Sequence, residues 1–139
     1  TVARPQAGLE LADVVWETIV EFEVSRFVAV YHSQVPDEVG PIRSVRPMDP
    51  LITAPLRGLL AYSGGQPGIL AEVRASGVQS ISQDQGAPGL YRVSYRSAPH
   101  NVYGTMARWL EIADAEHSAP PAEQFAFALR PELATATAA

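Results

Sequence analysis

Apolar residues fall at every second position from Val14: Val14, Trp16, Thr18, Val20, Phe22 and Val24 alternate with Glu17, Glu21 and Glu23. That period of two predicts a strand with one apolar face. Glu17 and Glu21 are also four apart, which leaves a helix open, but the β-branched residues favour the strand. Arg26–Ser33 (RFVAVYHS) reads as a second strand, close enough in sequence to form an antiparallel hairpin over 14–33. PDEVGPIRSVRPMDP is too rich in proline for a regular element, with a helical turn or two expected through Pro50 to Arg57. LLAY at 59–62 predicts a short buried strand ending at Ser63-Gly64-Gly65. Pro67 suits the first turn of a helix that stops at Gly77.

Farther on, VQSIS at 78–82 predicts a strand, 83–90 a polar loop and Tyr91–Arg96 an edge strand. Asn101 is placed to cap a helix through Ala113 with Met106, Trp109, Leu110 and Ala113 on one face. HSAPPAE reads as a break, QFAFAL as a last strand and ATATAA as a disordered end. The sum is an α+β layered sandwich with a mainly antiparallel sheet and two or three helices. The domain covers 1–114, and 115–139 supplies a linker, a further strand and a tail.

Composition narrows the chemistry. The 139 residues suit one domain, and no apolar run approaches the ~18 residues of a membrane span. A formal net charge of -5 argues against a duplex nucleic-acid binder. With no cysteine there are no disulfides, thiolates or cysteine–zinc sites, and three scattered histidines give no metal site. All 10 basic residues are arginine, so Schiff-base and P-loop lysines are excluded, and anion recognition falls to guanidinium forks or backbone amides. Ser63-Gly64-Gly65 lacks the spacing of a dinucleotide fingerprint and no G-x-S-x-G elbow occurs. No cofactor is expected.

Three segments together carry a family likeness: ARPQAGLELADVVWE at 3–17, RFVAVYHSQVPDEVGPIRSVRP at 26–47 and APHNVY at 98–103, with YSGGQP at 62–67 fitting more loosely. The combination resembles the N-terminal domain of the YerB-like lipoproteins, a bacterial family of unassigned function. GPIRSVRP is its most specific part. The resemblance implies an α+β fold in an exported protein whose only membrane attachment is a lipid anchor absent from this chain. It also implies a leader, a lipid-attachment cysteine and a first strand upstream, and a smaller second domain downstream. The chain is therefore expected to be a fragment. The family supplies no catalytic residues.

The candidate ligand-binding residues are Arg43, Ser44, Arg46, Arg26, Glu17, Glu21, His100 and Asn101. If the GPIRSVRP loop turns, Arg43, Ser44 and Arg46 converge on a phosphate or carboxylate; otherwise the arginines pair with Glu17, Glu21 or Glu23 and pin the loop to the sheet. On a strand Glu17 and Glu21 lie ~13 Å apart, too far for glycosidase carboxylates, whereas Glu21 and Glu23 at ~7 Å would fit an inverting pair. His100 could exchange protons near neutrality, or pack locally beside a capping Asn101. The leading expectation is an extracytoplasmic, non-catalytic module for an anionic cell-envelope ligand. The alternatives are a hydrolase or transferase of an envelope polymer using Glu21, Glu23 or His100, and a scaffold for a C-terminal domain or another envelope protein.

Overall fold

Local signals are honoured most closely in the middle of the chain. The computed structural model describes residues 2–122. The hairpin is β1 (Val14–Ile19) and β2 (Ser25–Val30), antiparallel, with Val14 opposite Val30 and Ile19 opposite Ser25. Then come α1 (Met48–Thr53), extended by a 3-10 turn at Ala54–Leu56, β3 (Leu59–Tyr62), α2 (Pro67–Ala75) and β4 (Gln79–Ser82). The last described elements are β5 (Leu90–Arg92), β6 (Val102–Gly104) and α3 (Met106–Leu110). The architecture is α+β, as the patterning predicts. Among the described residues the strands form three two-stranded sheets, β1–β2 and β5–β6 antiparallel and β3–β4 parallel.

The β3–α2–β4 unit follows its sequence signals. Gln66 is extended, Pro67 opens α2, and the Ser76 N–H returns to the carbonyls of Glu72 and Val73. Gly77 then adopts φ +79, the left-handed conformation that ends helices cheaply only at glycine. Leu60, Tyr62, Val73 and Val78 pack with Val45 in one buried cluster, while Val39, Ile81 and Trp109 centre a second.

Three sequence expectations are corrected. The first strand stops at Ile19, five residues early: Val20–Val24 is the hairpin tip, closed by the Val20 N–H on the Val24 carbonyl at 2.9 Å, with Phe22 and Glu23 in the left-handed region. Glu21 and Glu23 are therefore turn residues, and the ~7 Å strand spacing does not apply. The strand expected at 91–96 shortens to Leu90–Arg92. The helix expected from Asn101 begins only at Met106. Val102 and Tyr103 are 1% exposed, and their burial as β6 outweighs the capping signal of Asn101. The expected strand QFAFAL and the tail lie outside the described residues.

The Val20–Val24 bond also sets the ladder's phase. Even-numbered residues of β1 bond to β2, so Val15, Glu17 and Ile19 turn their N–H and C=O groups to the outer edge. Among the described residues nothing bonds to that edge.

Candidate functional site

The segment 40–47 (GPIRSVRP) is irregular yet tightly fastened. Gly40 lies against the ring of Tyr103, where a Cβ would collide with the aromatic carbons. The Ile42 N–H donates to the Val102 carbonyl at 2.7 Å, the Ser63 N–H to the Arg43 carbonyl at 3.1 Å, and the Val45 N–H to the Gly64 carbonyl at 2.8 Å. Val45 is 1% exposed, and Ile42 packs on the Val39–Ile81–Trp109 cluster. Two apolar anchors three residues apart thus point inward and leave Arg43, Ser44 and Arg46 half-buried at the surface. The segment runs from β6 to the loop after β3, beside the carboxyl ends of the two parallel strands.

Arg26, on β2, joins from across the fold: its Nη1 donates to the Ser44 carbonyl at 2.9 Å. Arg46 donates from Nε to Glu21 Oε2 at 2.9 Å and from Nη1 to the carbonyls of Ser44 (3.3 Å) and Val45 (3.1 Å). Arg43 takes a different partner, its Nη1 lying 3.0 Å from His100 Nδ1. A guanidinium has no acceptor, so Nδ1 accepts and the imidazole proton sits on Nε2.

The charges are unevenly matched. Burial, then the guanidiniums of Arg46 and Arg43, depress the basicity of Arg26. Burial and then Arg46 do the same to Arg43. Arg46 is ion-paired to Glu21, and its hydrogen bond holds the Glu21 carboxyl below the ordinary range. Among the described residues neither Arg26 nor Arg43 has a carboxylate within ion-pair distance. Burial, followed by Arg43, Arg96 and Arg26, pushes His100 below its ordinary value. Asp49 accepts from the Arg46 N–H at 2.8 Å, and burial raises its carboxyl.

The structure thus brings together Arg26, Arg43, Arg46, the Ser44 carbonyl, Glu21 and His100. Of the two sequence alternatives, the pinning one is realised on a single residue: Arg46 pairs with Glu21 and ties the loop to the hairpin, whereas Arg43 pairs with none of the glutamates. Ser44 contributes its carbonyl, and its hydroxyl makes no hydrogen bond to a described residue. Glu17 stays apart, opposite Phe27 on the outward hairpin face and unbonded to the arginines. Asn101 serves the β5–β6 corner, accepting from Arg92 Nη1 at 2.7 Å and, through its carbonyl, from the Val93 N–H at 2.9 Å. Two participants escaped the sequence reading. Asp49 lies three residues after Arg46, a spacing that could have flagged it; Arg96, near His100 in sequence, had only its charge to recommend it.

Next to the cluster, a groove of about 280 Å³ runs between the hairpin tip and the start of α1, bordered by Thr18, Ile19, Glu21, Arg46, Pro47 and Met48. The Arg46–Glu21 pair forms its polar wall. Among the described residues no group of three or more His, Asp or Glu side chains could hold a metal ion, and no helix is long and apolar enough to cross a membrane.

Residues 1–119 match the family described as the N-terminal domain of proteins of unknown function, DUF3048. The chain is 31% identical over 102 residues to the Bacillus subtilis (strain 168) protein named "Putative lipoprotein YerB", a match covering 73% of this chain and 31% of that protein. The crystal structure of YerB from Bacillus subtilis superposes with a TM-score of 0.76 at 26% identity, over 86% of this chain and 43% of the solved one. The chain thus spans less than half the length of that protein, both as a sequence and as the solved chain. On its sequence and its fold, the chain belongs to the DUF3048 N-terminal-domain family.

Proposed function

We propose that the domain is a non-catalytic, extracytoplasmic module that binds an anionic cell-envelope ligand through Arg43 and Arg26. One observation carries this reading: three half-buried guanidiniums share a small region in which, among the described residues, only Arg46 has a carboxylate partner. Concentrated positive charge held by backbone carbonyls and a neutral imidazole suits a phosphate or carboxylate arriving from solution. The name of the Bacillus subtilis relative supports an envelope address. Acid–base catalysis draws less support, because Glu21 is committed to Arg46 and His100 is surrounded by cations.

Titration of poly(glycerol phosphate) and of sulfate against the wild type and Arg43→Ala tests the reading. The expected result is tenfold or greater weakening in the variant. Equal affinity for both proteins, or no binding by the wild type, overturns it.

A second reading rests on the hairpin. Its tip exposes Ile19 at 79% and Phe22 at 96%, no described residue pairs with its outer edge, and Phe22 holds a left-handed conformation unfavourable for an aromatic residue. Such a surface suits packing against another part of a longer family member. Hydrogen exchange on a longer family member and on this domain alone discriminates: the amides of Val15, Glu17 and Ile19 are protected only in the longer protein if the reading holds. Equally fast exchange in both sinks it.

A further inference from the structure

The contact between Arg43 and His100 has a chemical condition attached. It exists only while Nδ1 carries a lone pair, because the guanidinium can only donate. The charged groups acting on His100 come from three segments: Arg43 from the 40–47 loop, Arg26 from β2, and Arg96 from the loop after β5. All are cations. Arg96 is itself held by the carbonyls of Val2 and Pro5, and its guanidinium sits 5.9 Å from the Tyr103 ring centre, so no described carboxylate neutralises it. A proton on His100 therefore costs the imidazole its hydrogen bond and places it among three like charges.

An anion at Arg43 reverses both penalties. It takes the Nη1 donor, frees Nδ1 and cancels part of the positive field. We propose that anion capture at Arg43 is coupled to uptake of one proton by His100, which turns the imidazole from Arg43's acceptor into a further cation facing the ligand. The inference rests on the anion-site reading above and adds its regulation. The bound state holds the extra proton, so by linkage affinity rises as pH falls, and saturating anion raises the basicity of His100. Burial and the arginines, which lower the free imidazole's basicity, act in the same sense.

The probes are sulfate and poly(glycerol phosphate), whose charge does not change between pH 8 and 5.5. Calorimetric titration of the wild type is expected to show affinity about fivefold stronger at the lower pH, with a binding heat that varies with buffer ionisation enthalpy. His100→Gln flattens that pH profile, and Arg43→Ala weakens binding tenfold or more at both pH values. Independently of any substitution, saturating sulfate shifts the proton-NMR titration of the His100 ring to higher pH in the wild type. A wild-type affinity flat with pH, or an unmoved His100 titration, overturns the coupling while the weakened binding of Arg43→Ala keeps the anion site. Absence of binding at every pH overturns both.

Discussion

The β3–α2–β4 unit and the β1–β2 hairpin are built from similarly apolar stretches of sequence, yet they use them in opposite ways. In the first, Leu60, Tyr62, Val73 and Ile81 are all less than one-tenth exposed. In the second, Val15, Trp16, Ile19 and Phe27 are each at least 40% exposed. The parallel pair is covered by its own crossover helix, as parallel strands generally are. Among the described residues no helix covers the hairpin in this way, and two polar struts tie it to the body: Arg26 on the Ser44 carbonyl and Arg46 on Glu21. Alternation along a strand says which residues share a face. It does not say what lies against that face.

The contrast is most exposed to failure in an isoleucine pair. Ile81→Ala opens a cavity in a side chain that is 1% exposed and is expected to cost about 3 kcal/mol. Ile19→Ala, at 79% exposure, is expected to stay within about 0.5 kcal/mol of the wild type. Urea unfolding of both variants measures the difference. Comparable losses would mean that the hairpin is packed in solution, and the distinction between the two regions would fall.

The sequence made the first region legible because its signals are local. Pro67 and Gly77 bracket α2 through backbone preferences that need no tertiary partner, and LLAY at 59–62 is apolar throughout. The hairpin tip gave no such signal. Val-Glu-Phe-Glu-Val contains no glycine, proline or asparagine, and the turn relies on Phe22 and Glu23 in conformations their side chains disfavour. The parallel pairing of β3 with β4, and of β6 rather than a helix after Asn101, depends on what is buried against what. The site divides along the same line. Arg43, Ser44 and Arg46 are neighbours in sequence, whereas His100 reaches Arg43 from 57 residues away and Arg26 reaches Ser44 from 18. Family likeness drew attention to GPIRSVRP and APHNVY, which meet through Arg43 and His100, and only the fold separated Arg43 from Arg46.

A smaller effect of opposite sign is expected at the tip. Phe22→Asn replaces an aromatic residue that is 96% exposed with φ +63 by one that tolerates the left-handed region. Stability should rise by about 0.5–1 kcal/mol, read as an increase in unfolding midpoint. In the buried unit, by contrast, polar replacement of an aromatic such as Tyr62, 3% exposed, removes core packing and destabilises. Loss of stability in Phe22→Asn would place the Phe22 ring against protein.

The coupling across the Arg46–Glu21 strut should be the smallest signal and the one most sensitive to solution conditions. The Glu21 side chain is 49% exposed and that of Arg46 is 18%, so their attraction is screened by water and salt. A double-mutant cycle on Arg46→Ala and Glu21→Ala should give a coupling below the Phe22 effect, erased in 1 M salt. Arg46→Ala alone should cost more than the coupling, about 1 kcal/mol, because the Ser44 and Val45 carbonyls also lose a donor. The pH dependence has a definite sign. The Glu21 carboxyl is depressed in the folded protein, chiefly by its hydrogen bond from Arg46, so its contribution is present above the ordinary carboxylate pKa and vanishes as pH falls through the depressed one. A coupling that survives both acid and salt would require a pair shielded from solvent, and with it a hairpin seated far more firmly on the body than its exposure allows.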